Sequence, residues 1–177
     1  MKPWHIVTAL ILGFLVGGFA HLWFINDVGY AAIVSGGRSG FGWNVKSVGE
    51  NIGAGTLFYL LGFLLYAYVA GIIISTMIVN EWWHRRSFPF RRPRPRPFLS
   101  GIAIFLLGAL GAVTLNQHTI TENYVYAATL GEWFESRTIA LALPAMQAFT
   151  ADCQRALLAL LLLTLLGWGG ERWLRQR

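Results

Sequence analysis

The chain has 177 residues, of which 55% are hydrophobic and 12% charged, and its formal net charge is +6. A soluble domain carries about 25% charged residues. A soluble fold could not bury this much apolar surface, so much of the chain must lie in lipid. The single cysteine, Cys153, excludes an internal disulfide and an internal Cys-x-x-Cys redox or zinc motif. The length fits one integral membrane domain, residues 1–177.

Four apolar segments come near the length that a bilayer requires, which is about 20 residues for a helix. Inside lipid every backbone amide has to be bonded within the protein, and this favours helices. The predicted spans are residues 4–24, 56–79, 98–116 and 151–170. The predicted fold is therefore an all-α membrane protein with four transmembrane helices, two outer loops and a short basic inner loop.

The first span has an alternative interpretation as a secretory signal peptide. Lys2, the apolar run and the small-x-small triplet Gly18-Phe19-Ala20 are typical of one. However, Lys2 is the single basic residue before the apolar run, and that run continues past the triplet to Phe24. We favour a retained helix, and cleavage of residues 1–20 stays open as the alternative.

Orientation follows from the placement of lysine and arginine, because short basic loops stay in the cytoplasm. Lys2 lies at the start of the chain and Arg175 near its end. The loop 81–97 holds six arginines, namely Arg85, Arg86, Arg91, Arg92, Arg94 and Arg96. Both termini and this loop are predicted inside, with residues 26–55 and 116–152 outside. A bacterial inner membrane is the expected location.

The arginine-rich loop also contains prolines, which favour an extended chain. One interpretation is topological: the arginines hold the loop at the cytoplasmic face, close to anionic lipid headgroups. The other is a docking role, since the segment from Arg94 to Pro97 would present guanidinium groups on a stiff polyproline rod suited to an acidic protein surface. Nucleic acid is not the expected partner.

The second outer loop contains helix signals of its own. Thr119 with Glu122, and Thr129 with Glu132, have the spacing of a capping box, which predicts helix starts. Residues 138–150 form an apolar run interrupted by a proline. This run is predicted either to lie in the membrane interface or to extend the last span outward.

Small residues recur at the four-residue spacing that lets helix backbones approach closely in lipid. They are Gly13 and Gly17 in the first span, Ala67 and Gly71 in the second, and Gly108 and Ala112 in the third. Packing among the four helices is the favoured interpretation, and docking of another membrane protein is the alternative.

Two histidines are predicted at similar depth near the outer ends of their spans. His21 belongs to the first span and His118 follows the third. Such a pair is suited to axial ligation of a haem, or to a metal shared with Asp27 or Glu122. An interfacial histidine is more often structural, so no cofactor is expected.

The apolar interiors of the spans contain no Asp, Glu, Lys or Arg. Pumps and ion-coupled transporters place such groups at membrane depth, and the outer loops show no nucleophile or metalloprotease motif. The sequence therefore favours a non-catalytic subunit or assembly factor of a larger inner-membrane complex, of secretion, conjugation or envelope type, with other membrane subunits as partners. The alternatives are a small haem or metal redox protein using His21 and His118, and a channel or transporter component.

Overall fold

The computed structural model describes residues 2–34, 54–79, 95–130 and 136–174. These residues form four helices, and no strand occurs among them. The helices are α1 (Pro3–Val34), α2 (Ala54–Val79), α3 (Pro95–Leu130) and α4 (Ser136–Leu174).

Each helix contains a segment long and apolar enough to cross a membrane. These segments are Pro3–Gly29, Tyr59–Ile78, Pro97–Thr119 and Ala142–Gly170. The prediction of an all-α membrane protein with four transmembrane helices is confirmed. The predicted orientation, with both termini inside, stays a prediction.

The closest helix pair is α1 with α3, which share the most extensive contact of the bundle. A Cβ atom on Gly13 would overlap the carbonyl oxygen of Phe105 and lie 2.9 Å from its Cα. One turn further, a Cβ on Gly17 would lie 2.7 Å from the Cα of Ala109. Because these are backbone atoms that cannot move aside, only glycine allows this approach. We call this contact the α1–α3 glycine seam.

The other small residues singled out in the sequence also lie at contacts within the chain. Gly108 belongs to the glycine seam, where it faces the backbone of α1. Gly71 of α2 faces the ring of Phe105, 3.1 Å from the position of a Cβ. Ala67 and Ala112 are buried. The glycine contacts therefore join α1 to α3 and α2 to α3.

The bundle has an apolar core and an apolar outer surface, as expected for a protein dissolved in lipid. The largest core side chains include Phe63, Phe105 and Phe149, which are fully buried. Many leucines and aromatic residues point outward, most prominently Phe19 and Trp23 of α1. Such an outer surface is suited to contact with acyl chains.

Helix α3 is longer than its predicted span at both ends. The extended conformation predicted for the arginine-rich loop is wrong at Pro95–Pro97, which form the first turn of α3. Proline is tolerated there because the first amides of a helix have no partner within it. The remainder of that loop, residues 80–94, lies outside the described residues.

The two helix starts predicted in the second outer loop are also wrong. Thr119 lies inside α3, where its hydroxyl donates to the carbonyl oxygen of Leu115 at 3.1 Å. Thr129 lies in the last turn of the same helix. No glycine or proline interrupts the chain between the third span and Leu130, so the helix continues and the capping pattern is not used.

Helix α4 resolves the alternative left open for residues 138–150. The helix runs without a break from Ser136 to Leu174 and contains Pro144, so this run extends the last span outward. Helix α1 likewise continues to Val34, beyond the predicted start of the first outer loop at residue 26. Helices α1, α3 and α4 therefore extend beyond their predicted spans at the same end of the bundle.

Candidate functional site

The principal polar cluster of the bundle lies where all four helices meet, with His21 of α1 at its centre. The His21 side chain is fully buried. Its Nδ1 lies 3.2 Å from Nδ2 of Asn116 in α3. Its Nε2 lies 3.1 Å from Oγ1 of Thr150 in α4. The cluster therefore ties together three helices that are far apart in the sequence.

The hydrogen bonds of this cluster have one consistent direction. The Asn116 amide nitrogen is also 3.3 Å from the carbonyl oxygen of Gly18, so it donates one hydrogen to that oxygen and the other to Nδ1 of His21. Nε2 of His21 then carries the ring hydrogen and donates it to Thr150. The Thr150 hydroxyl donates in turn to the carbonyl oxygen of Met146 at 2.8 Å. Both ring nitrogens of His21 are satisfied when the imidazole is neutral.

Aromatic rings enclose the imidazole on two sides. The Phe149 ring is nearly parallel to it, with centroids 6.2 Å apart and an interplanar angle of 9°. The Phe63 ring of α2 meets it edge-on at 6.0 Å. The apolar surroundings strengthen the hydrogen bonds of His21, and they make the loss of any one partner costly.

A second polar group lies beside this cluster on the surface of α3 and α4. The Gln154 side-chain nitrogen donates to Oε1 of Gln117 at 2.8 Å and to Oγ1 of Thr114 at 3.4 Å. Next to it, Arg155 and Asp152 form an ion pair at 3.1 Å. Thr114 and Gln117 lie within the candidate span of α3, and Asp152, Gln154 and Arg155 lie within that of α4.

The predicted ligand pair is separated by the geometry of α3. His118 is exposed, whereas Asn116 faces His21. Two residues turn a helix by about 200°, so His118 points away from the cluster. Asp27 is exposed as well, and the side chain of Glu122 lies outside those described.

Both ring nitrogens of His21 are already engaged in hydrogen bonds, so an iron or zinc ion would have to displace one of them. Among the described residues, no group of three His, Cys, Asp or Glu side chains is placed to hold a metal ion. The redox alternative stays a prediction, and an optical spectrum of the purified protein tests it.

The six arginines of the inner loop contribute nothing to the described site. Five of them, from Arg85 to Arg94, lie outside the described residues, and Arg96 is in the first turn of α3 with its side chain outside those described. Their predicted roles in topology, lipid contact and docking stay predictions.

Comparisons of the chain with protein-family models, with curated proteins and with solved structures find no match, so its function is argued from this geometry. Sequence reasoning missed Asn116 and Thr150 because the third span was ended, and the fourth begun, beside them. The signal that finds them is a polar side chain inside a long, otherwise apolar helix, at the depth of His21.

Proposed function

We propose that the chain is a non-catalytic subunit or assembly factor of a larger membrane complex, with a bacterial inner membrane as its location and secretion, conjugation or envelope machinery as its type. The observation that carries this proposal is the continuation of α1, α3 and α4 beyond their predicted spans at one end of the bundle. Helix α3 continues past Thr119 to Leu130, about 16 Å at 1.5 Å per residue.

Helices α4 and α1 extend at the same end of the bundle as α3. Helix α4 begins at Ser136, and α1 continues to Val34. A rigid helical extension offers a protein partner a preformed surface, which lowers the entropy lost on binding.

The chemistry of the interior supports the same proposal. Among the described residues, no Asp, Glu, Lys or Arg is buried, and His21 is committed to a closed set of hydrogen bonds. A general acid or base needs a lone pair or proton that faces a substrate. An ion-coupled transporter needs ionisable groups along its path. We therefore rank an enzyme and a transporter component below a subunit.

The test is site-specific photo-crosslinking in the native host. A photoreactive residue is placed at Tyr124 in the projection of α3, and at Leu162 on the exposed surface of α4 as a matched control. We expect position 124 to form a discrete adduct larger than the 19.7 kDa chain, and position 162 to form none. The adduct partner should copurify in fixed stoichiometry in mild detergent.

Two outcomes would contradict the proposal. One is a chain that purifies alone, with no adduct at either position. The other is identical adducts at positions 124 and 162, because this would mean that the projection has no special role in contact.

A further inference from the structure

The surface of α3 and α4 carries a cluster of polar side chains within the candidate membrane segments. We call this surface the α3–α4 polar notch, defined by Thr114, Gln117, Asp152, Gln154 and Arg155. The Arg155 side chain is 80% exposed and the Asp152 side chain 20% exposed. Asp152 is the ion-pair partner of Arg155 within the described part of the chain.

The depth of the notch follows from helix geometry. Arg155 lies about 22 Å from Gly170, the inner end of the candidate span of α4, at 1.5 Å per residue. Thr114 lies about 25 Å from Pro97, the inner end of the span of α3. A hydrocarbon core is about 30 Å thick. The notch therefore begins about 5–8 Å inside an undistorted bilayer.

Helix α1 exposes a different kind of side chain at the same depth, on another side of the bundle. The contact of His21 with Asn116 sets the level of α1 against α3, so that Thr114 is level with residues 19–22. Phe19 is 72% exposed at that level, and Trp23, 73% exposed, follows one turn further out. The outer surface at this depth is thus apolar on α1, whereas on α3 and α4 polar side chains lie beside the exposed Leu115.

We propose that the polar notch thins the lipid leaflet beside it, drawing phosphate headgroups and water about 5–8 Å toward the membrane centre. An exposed ion pair in hydrocarbon is strongly disfavoured, whereas bilayer deformation costs little per ångström. The occupant of the notch is therefore the lipid headgroup region. Thinning occurs whether or not the chain has protein partners.

The geometry of Arg155 fits a descending phosphate. Side chains of a helix lean toward its N-terminus, which for α4 is the end that extends beyond its predicted span. Arg155 therefore reaches toward the nearer headgroups, and its ion pair with Asp152 runs in the same direction. The guanidinium group donates one hydrogen bond to Asp152, and its planar fork can bind phosphate oxygens with its other N–H groups.

Cysteine labelling in liposomes tests the thinning directly. Thr114→Cys and Phe19→Cys are compared in a Cys153→Ala background, in dioleoyl phosphatidylcholine, with a charged thiol reagent. Both positions are exposed and lie at the same level. We expect Thr114→Cys to react about tenfold faster or more, because the reagent does not enter hydrocarbon. Equal rates, slow or fast, would overturn the proposal.

Lipid chain length provides a second readout that does not use cysteine. We expect the parent protein to have its highest melting temperature in palmitoleoyl or myristoleoyl lipids. Asp152→Leu with Arg155→Leu, which removes both charges of the ion pair, should move that optimum to longer chains, whereas Arg155→Lys, which keeps a cation that can reach outward, should not. An unchanged optimum in the double leucine variant would show that the notch does not set the thickness of the surrounding bilayer.

Discussion

The Thr150 hydroxyl forms both a cross-helix and a local hydrogen bond. It accepts a hydrogen bond from His21 across the bundle and donates one to Met146 within its own helix. Thr164, on the same helix, has the second kind of bond alone, to Leu160 at 2.8 Å. The two threonines therefore separate the cross-helix contribution from the local one.

Replacing Thr150 by valine should destabilise the protein by about 1 kcal/mol or more, because the buried Nε2–H of His21 loses its acceptor. Thr150→Ser keeps the hydroxyl and should cost much less. Thr164→Val removes only a local bond and should be close to neutral. The measurement is reversible unfolding in mixed detergent micelles. Equal stability of Thr150→Val and Thr164→Val would show that the His21 contact contributes nothing.

The glycine seam is the corresponding feature at the scale of helices. Gly13 and Gly17 allow α1 to touch the backbone of α3. In lipid, where apolar side chains gain nothing by leaving the solvent, this close packing supplies much of the association energy. The seam also sets the relative level of the two helices, and with it the meeting of His21 and Asn116.

Adding one methyl group at the seam should therefore be costly. Gly13→Ala and Gly17→Ala should each destabilise the bundle by about 1–3 kcal/mol, since the new Cβ meets backbone or a buried alanine. Gly169→Ala is the matched control, because nothing lies within 4 Å of a Cβ there. That change should be neutral or stabilising by about 0.5–1 kcal/mol. Helical content during thermal unfolding reports all three.

Should Gly13→Ala be as stable as the parent, α1 and α3 would have to be further apart than the structure shows. The leucine pair Gly13→Leu and Gly17→Leu extends the series, since its greater bulk should separate the helices and expose the His21 cluster. If the variant with both leucines is as stable as the parent, this side of α1 faces lipid and not α3.

At the scale of the whole molecule, the orientation of the chain determines which side of the membrane each end of the bundle faces. The projecting ends of α1, α3 and α4 lie opposite the start of α3, where the arginine-rich loop joins it. If that loop is cytoplasmic, the helical projection and the polar notch are both on the outer side.

Cysteine labelling in intact cells should place positions 40 and 132 outside, and positions 92 and 175 inside. The chain is suited to this measurement, because its own Cys153 is fully buried and should react slowly. Labelling of position 92 from outside would overturn the orientation, since a loop with six arginines resists translocation.

The sequence by itself determined the class of the protein and the number of its membrane spans. An apolar run of span length has few structural options in lipid, so composition and length are sufficient. The small-residue pairs were also visible, because their four-residue spacing puts them on one side of a helix. Helix ends were predicted poorly, as at Pro95 and Thr119, because proline and capping residues fit more than one position in or near a helix.

Only the tertiary structure decided what each polar residue does. His21 and His118 are alike in the sequence, yet one is buried among Asn116 and Thr150 and the other is exposed. The difference depends on helix rotation and on the level of α1 against α3, which the glycine seam fixes. Contacts between residues about a hundred positions apart follow from how the helices pack, and no local pattern encodes them.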